Sequence, residues 1–413
     1  MDATEQKRAA APLGVAGDVV SKRFAESGAV GLLYVSLPGL AAVEAGFGIE
    51  AHAQSVRALW DLVERFVAGV RAEGDLLVAA ESSPEELVAL LFRERSRRLF
   101  YTEELPALSD KLHALVRQQA GRIGYPYVTD LADARVGYAV ALHNPLLRDD
   151  RQLRAALDRA RADARLNARI RARESARAFL SMVLGEKVQS VYQPIVDLDG
   201  GRTLAYEALV RGPQATFWRE PEALFRAAEE AGVVFEVDCL CRQAALRGFA
   251  ERRAMSGKLF LNCLPSAIHD PIFRGDKLRE TLERCRLTPS DLVFEISEKE
   301  SIKNFNIFRE TRDYYRNLGI QFALDDTGAG YAGLEAVMQL APDYIKVDIS
   351  LVHSIDADNG RQGLMKAVIS MAEAIGAKVI AEGVETEAEL ETVRALGVSY
   401  GQGYLLGRPE PAR

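Results

Sequence analysis

The sequence predicts an α/β protein: a C-terminal, TIM-like β/α barrel preceded by a smaller α+β domain and a long linker helix. Three observations carry this. From residue 186 onward, apolar strand-like runs alternate with amphipathic helical runs about eight times. Residues 148–184 run without Gly or Pro. Before them, residues 28–145 mix strand and helix patterns. The expected division is a tail over 1–27, a small domain over 28–150, a linker helix over 151–185 and the barrel over 186–413. A length of 413 residues leaves room for a full core in each domain.

In the N-terminal part, residues 1–27 are Ala-rich and weakly patterned, a tail or a loose helix. "AVGLLYVSL" and "RVGYAVALH" read as strands, and "SVRALWDLVERFVAGV" as an amphipathic helix. Ser82-Ser83-Pro84-Glu85-Glu86, between two apolar runs, fits either a hairpin turn or a helix start capped by Ser83. Residues 151–177 hold nine arginines against three acids, with Leu153, Leu157, Ala160 and Ala164 at helical spacing. A basic helix can bind nucleic acid or a membrane surface. The formal charge of −7 favours instead a solvated helix that joins two domains or packs on its copy in a dimer.

Composition narrows the classes. At 48% hydrophobic and 27% charged, the chain is an ordinary globular one, and its acidity argues against a DNA or RNA binder. "AVGLLYVSLPGLAAV" is short and broken by Ser36 and Pro38, so no membrane span is expected. "MDATEQKRAAAPLG" lacks the apolar stretch of a signal peptide. Cys239, Cys241, Cys263 and Cys285 form no CxxC pair and read as buried thiols of a reducing compartment. The five histidines are scattered, and His269-Asp270 reads as a turn before Pro271. The expectation is a cytoplasmic protein.

The chemistry is written at the strand ends. Glu207 ends "LAYE", Asn262 ends "LFLN" and Glu295 ends "LVFE". Asp325 and Asp326 end "FALDD", Lys346 and Asp348 sit in "YIKVD", Glu382 ends "VIAE", and Gln402 lies in "YGQGY". On "IQFALDDTGAG" alone, a helix cap by Asp326 and a metal site are equally open. Seven strands in succession ending this way point to one mouth, because the C-terminal strand ends of a β/α barrel converge. Crowded carboxylates need cations, and oxygen ligands without His or Cys select Mg²⁺ or Mn²⁺. The paired aspartates suit two ions about 4 Å apart, with Asp325 bridging and Asp326 on the second. Two such ions serve in-line displacement at phosphorus, with Lys346 holding the attacking water and Arg211 meeting a phosphate oxygen. The residues read as a metal-dependent phosphodiesterase.

"YQPIVDL", "EALVR", "FLN", "FEISE", "LDD", "IKVD", "AEGVET" and "QGYLLGRP", in this order over residues 186–413, resemble the EAL family of cyclic-di-GMP phosphodiesterases. The resemblance implies a β/α barrel with Glu207, Asn262, Glu295 and Asp325 on one metal ion and Asp326 and Glu382 near the second. It implies Lys346, Glu382 and Gln402 around the attacking water, and Gln193, Leu209, Arg211 and Asp348 as substrate contacts. Glu298 matches a glutamate that anchors the loop after the aspartates. The reaction implied opens cyclic-di-GMP to linear pGpG, and a homodimer is expected. In that loop Thr327 and Ala329 replace the family's Phe and Thr, so the rate and its regulation are open, and a non-catalytic receptor is the alternative. Residues 28–165 resemble a GGDEF cyclase-type domain more faintly. "SPEEL" stands where the glycine signature belongs and Ser36 where a metal-binding acid would be, which opposes cyclase activity and implies a degenerate regulatory domain.

Overall fold

The structure, a computed structural model, describes residues 17–80, 83–128, 131, 133–251, 257–297, 305–327, 337 and 341–411. The chain divides into two compact units, Met1–Ser175 and Ala176–Arg413.

The first unit runs α1 (Gly17–Ser27), β1 (Ala29–Ser36), α2 (Leu40–Phe47), α3 (Ile49–Ala68), β2 (Leu76–Ala79), β3 (Glu86–Phe92), α4 (Leu105–Gly124), β4 (Arg135–Leu142) and the start of α5 (Asp149–Leu184). Its sheet has the order β2-β3-β1-β4 with every neighbouring pair antiparallel, a split-βαβ arrangement. Alternation along β1 sorts its two faces. Leu33 and Val35 pack on Leu59 and Val63 of α3 and Leu112 and Val116 of α4. Val30, Leu32 and Tyr34 pack on Val20 and Phe24 of α1 and on Leu153, Ala156, Leu157, Ala160 and Ala164 of α5. Covered on both faces, β1 is buried from end to end.

Three features differ from, or decide between, the readings of the sequence. Gly17–Ser27 is a helix and not part of a tail; only Val20 and Phe24 of it are buried, which is why its pattern is weak. The first half of α5 does more than link, since its apolar stripe completes the first unit's core. The approach there is close: a Cβ on Gly137 of β4 would lie 2.3 Å from the Ala164 nitrogen and 2.6 Å from the Ala160 oxygen. Finally, Leu76 pairs opposite Leu90 and Ala79 opposite Leu87, so the Ser83–Glu86 stretch is a hairpin turn and starts no helix.

The second unit is a closed barrel of eight strands: β5 (Gln189–Asp197), β6 (Thr203–Arg211), β7 (Lys258–Asn262), β8 (Leu292–Ser297), β9 (Gln321–Thr327), β10 (Tyr344–Val347), β11 (Lys378–Ala381) and β12 (Tyr400–Gly401), with β12 pairing back to β5. β13 (Glu410–Pro411) adds to β5. Helices α6 (Pro221–Ala231), α7 (Val234–Glu251), α8 (Gly275–Arg284), α9 (Phe305–Asn317), α10 (Ile349–Val352), α11 (Asn359–Ile375) and α12 (Glu387–Ala395) lie between strands. From β6 to β12 neighbours are parallel, but β5 is antiparallel to both β6 and β12. Residues 198–202 are too few for a crossover, so β5 and β6 form a hairpin.

The barrel interior is layered. Ile195, Ala205, Phe260, Val293, Ala323, Tyr344 and Ile380 form one apolar cluster, with Tyr400 packed against it. Two residues further along the parallel strands, on the same face, stand Glu207, Asn262, Glu295, Asp325, Lys346, Glu382 and Gln402. On the reversed strand β5 the matching residue, Gln193, precedes Ile195 by two. Residues of the other parity, among them Leu259, Phe294, Phe322, Ile345 and Val379, belong to the large core that includes helix residues such as Tyr315 and Met365. Period-2 geometry therefore turns an apolar lower layer into a polar upper one. Among the described residues, no helix is long and apolar enough to cross a membrane.

Candidate active site

Lys346, 1% exposed, is the centre of the polar layer. Its Nζ lies 2.7 Å from Glu382 Oε1, 2.9 Å from Glu295 Oε1, 3.1 Å from Asp325 Oδ1 and 3.3 Å from Glu207 Oε2. Asn262 Nδ2 donates to Glu207 Oε1 at 3.2 Å and Glu295 Oε2 at 3.1 Å. Gln402 Nε2 donates to Glu207 Oε2 at 2.6 Å and Gln193 Oε1 at 3.1 Å, while Gln193 Nε2 donates to the Gly407 oxygen at 3.0 Å. Glu382 and Gln402 lie just past their strands and are fixed by backbone bonds from Glu382 N to the Val347 oxygen and from Gln402 N to the Ala381 oxygen.

Four carboxylates facing one ammonium leave the layer short of positive charge. Burial, reinforced by the charge of Glu207, pushes the Glu295 carboxyl well above the usual range. Burial also pushes Glu382 up to about 8; Lys346 opposes this, and the charges of Asp325 and Glu207 add to it. For Glu207, burial works upward, but Lys346 and the Gln402 amide outweigh it and hold the carboxyl below its ordinary value. Burial works against the Lys346 charge, and the surrounding Asp325, Glu207, Glu295 and Glu382 overcome it, so Lys346 keeps its proton firmly. Among the described residues, Glu295 Oε1, Asp325 Oδ1 and Gln402 Oε1 are buried without an aligned hydrogen bond, although the first two are within ion-pair range of Lys346.

This donor set fits a hard divalent cation. Its ligating atoms are oxygens, with no His or Cys in the layer, and its acidity exceeds what Lys346 neutralises. The acids gather round the ammonium, and among the described residues no three are spaced as a finished metal cage. Asn262 presents Nδ2 to Glu207 and Glu295; turning its amide over would present Oδ1 to the same place. Beside the layer lies a cavity of about 390 Å³, lined by Asn262 and Glu295 of the layer and by Leu209, Phe225, Asp238 and Arg242. A larger cavity of about 590 Å³ sits between α3 and α4 of the first unit and touches none of this chemistry.

The EAL domain description matches residues 172–409, more than half of the chain. This chain belongs to the EAL domain family. Along its length the chain is similar to the bifunctional diguanylate cyclase/cyclic di-GMP phosphodiesterase MucR of Pseudomonas aeruginosa, 25% identical over 412 residues, which is 92% of this chain and 56% of that protein. The cyclic di-GMP phosphodiesterase RocR of the same species is 30% identical over 232 residues, 54% of this chain and 57% of RocR. The chain thus spans little more than half the length of these two relatives. Among solved structures, the phosphodiesterase of PaMucR in its c-di-GMP complex is 24% identical with a TM-score of 0.52, over 58% of this chain and 98% of that one, and shows the shared fold. The FimX EAL domain from Pseudomonas aeruginosa, bound to c-di-GMP, is 26% identical with a TM-score of 0.50, over 57% and 96%.

Within the EAL domain, the polar layer gathers Glu207, Asn262, Glu295, Asp325, Lys346, Glu382, Gln402 and Gln193. Leu209 and Arg211 continue the lumen face of β6 outward by two and four residues. Leu209 lines the cavity, whereas Arg211 donates to the Val210 oxygen and has its Nε 3.6 Å from Glu220. Asp348 caps α10 by accepting from Ser350 N, so its carboxylate is engaged outside the layer. Thr327 is 3% exposed, and its Oγ1 has no hydrogen-bond partner among the described residues. The backbone of Asp326 lies on β9, while its side chain, Glu298 and Ala329 fall outside the described residues. Sequence reasoning missed Asp238 and Arg242. The available signal was an acid and an arginine one helical turn apart on α7, on a face shared with Ala245.

Proposed function

We propose that the EAL domain hydrolyses cyclic-di-GMP to linear pGpG. The observation that carries this is the polar layer, in which Glu207, Glu295, Asp325 and Glu382 all lie within reach of Lys346. Glu207, Asn262, Glu295, Asp325, Asp326 and Glu382 would hold two divalent ions, Mg²⁺ or Mn²⁺, which when bound supply charge neutralisation and Lewis acidity at the phosphodiester. Lys346 and Gln402 orient water in line with the scissile bond, and the ammonium offsets the negative charge that builds there. Glu382, whose Oε1 lies 2.7 Å from Lys346 Nζ, is placed beside that water to exchange its proton. The water oxygen forms the new bond to phosphorus, the bond to the sugar 3′ oxygen breaks, and that oxygen takes up a proton. The adjoining cavity, which Leu209 lines, has room for a base of the substrate. Gln193, Arg211 and Asp348 are the further substrate contacts in this proposal.

The first unit fits a degenerate GGDEF-like regulatory domain. Support comes from its split-βαβ order and from the hairpin turn at Ser83–Glu86 where the glycine signature would stand. The similarity to MucR also runs across both units. Glu86 is engaged by Arg161 at 2.8 Å, and Ser36 ends β1. A homodimer working in the cytoplasm completes the proposal, and light scattering of the purified chain tests its dimeric part. The Thr327 departure favours, as a second reading, a receptor that binds cyclic-di-GMP without turning it over. Chromatography of the reaction mixture separates the two. The wild-type chain should yield pGpG, and Glu207→Ala none. Binding by the wild type without product would establish the receptor.

A further inference from the structure

A buried ionic group outside the polar layer borders the same cavity. Arg242 on α7 is 1% exposed. Its Nη1 donates to Asp238, one turn earlier on the helix, and its Nη2 donates to Asp270 Oδ2 at 2.8 Å. Asp238 and Asp270 are 3% and 2% exposed, so the guanidinium joins two carboxylates that water barely reaches. Its face lies over the Phe273 ring at 4.8 Å. Asp270 is bound on its other side too, because Oδ1 accepts from Ile272 N and caps the 3₁₀ turn Pro271–Phe273.

The segment so tied is the one that leaves β7 at Asn262. It is held further by Tyr315, whose hydroxyl donates within reach of the Ala267 and Phe273 oxygens, and by Thr311, which donates to the Pro265 oxygen. Asp238 and Arg242 line the same cavity as Asn262 and Glu295. One side chain therefore fixes the α7 wall of the cavity against the segment that follows a polar-layer residue. Breaking a buried pair from one side leaves an uncompensated charge, and the planar fork of an arginine aims two separate N–H groups in fixed directions, here one at Asp238 and one at Asp270, which a lysine's single ammonium cannot copy.

We propose that Arg242 is a positioning residue for substrate: through Asp238 and Asp270 it sets the shape of the cavity, and so governs binding of the cyclic dinucleotide and not the chemical step. This rests on the proposed function, since the cavity is taken to receive the substrate. Arg242 touches none of the reacting groups.

The test compares the full chain with Arg242→Lys, which keeps the charge but not the fork, and Asp270→Asn, which loosens the tie from the other end. KM, kcat, the Kd for cyclic-di-GMP, Mn²⁺ affinity and thermal stability are measured on each. Both variants should raise KM and Kd about tenfold or more, with kcat within about threefold of wild type and Mn²⁺ affinity unchanged. Wild-type KM and Kd in a folded Arg242→Lys chain would overturn the role alone. So would a loss confined to thermal stability or to Mn²⁺ affinity in either variant. A wild-type chain that neither binds nor hydrolyses cyclic-di-GMP would remove the proposed function, and this role with it.

Discussion

At the scale of single residues, the mouth is a problem in charge. Without a metal, burial lifts the Glu382 carboxyl to about 8, so it holds its proton around neutrality, and burial also lifts Glu295 well above the usual range. A cation must displace the Glu382 proton to use that carboxylate, so Mg²⁺ affinity should climb as pH rises toward 8. The slope should reach at least about tenfold per pH unit below 8, as read by calorimetric titration at several pH values, and Glu382→Gln should reduce it. The sign reverses for stability with EDTA present. The folded state there holds more protons than the unfolded chain, whose carboxylates titrate near 4.5, so the protein should lose thermal stability as pH rises from about 5 to 8. Lys346→Ala should retain cyclic-di-GMP binding while slowing turnover by at least about 100-fold, measured as Kd against kcat. The acids and the lysine were legible in the sequence because each interrupts an apolar run at a strand end. The Arg242 group was not, since contact with Asp270 depends on how α7 meets the segment after β7, which local spacing does not encode.

At the scale of elements, alternation does most of the work. The strand residues of the barrel were readable as apolar runs, and the two-residue offset from the lower layer explains why seven of them end on polar groups. The reversal of β5 was not read from the pattern, because direction depends on the length of a connection and not on side-chain period. Between a tail and a loose helix the pattern of residues 17–27 did not decide, for a different reason: a helix with two buried residues carries little periodic signal. The stripe of Ala156, Ala160 and Ala164 on α5 yields a test. At Gly137 a methyl group would meet the backbone of α5, which cannot yield as a flexible side chain would. Gly137→Ala should destabilise the first unit by about 2 kcal/mol or more, seen as a lowered denaturant midpoint, with the barrel's circular dichroism retained. An unchanged midpoint would mean that α5 does not pack on β4 as described.

For the whole molecule, two units with separate cores place the chemistry in the second. The family match covers that unit, and the acids, lysine and glutamines that the sequence put at strand ends meet there in one layer. What the barrel does with that layer is settled most directly by product formation. Purified chain would be incubated with cyclic-di-GMP and Mg²⁺ or Mn²⁺, and again with EDTA, and pGpG followed over time. The expected result is steady pGpG formation that EDTA abolishes and added metal restores. Cyclic-di-GMP left intact in the presence of either metal, or hydrolysed equally well in EDTA, would contradict the assignment of the polar layer as a metal-dependent hydrolytic site.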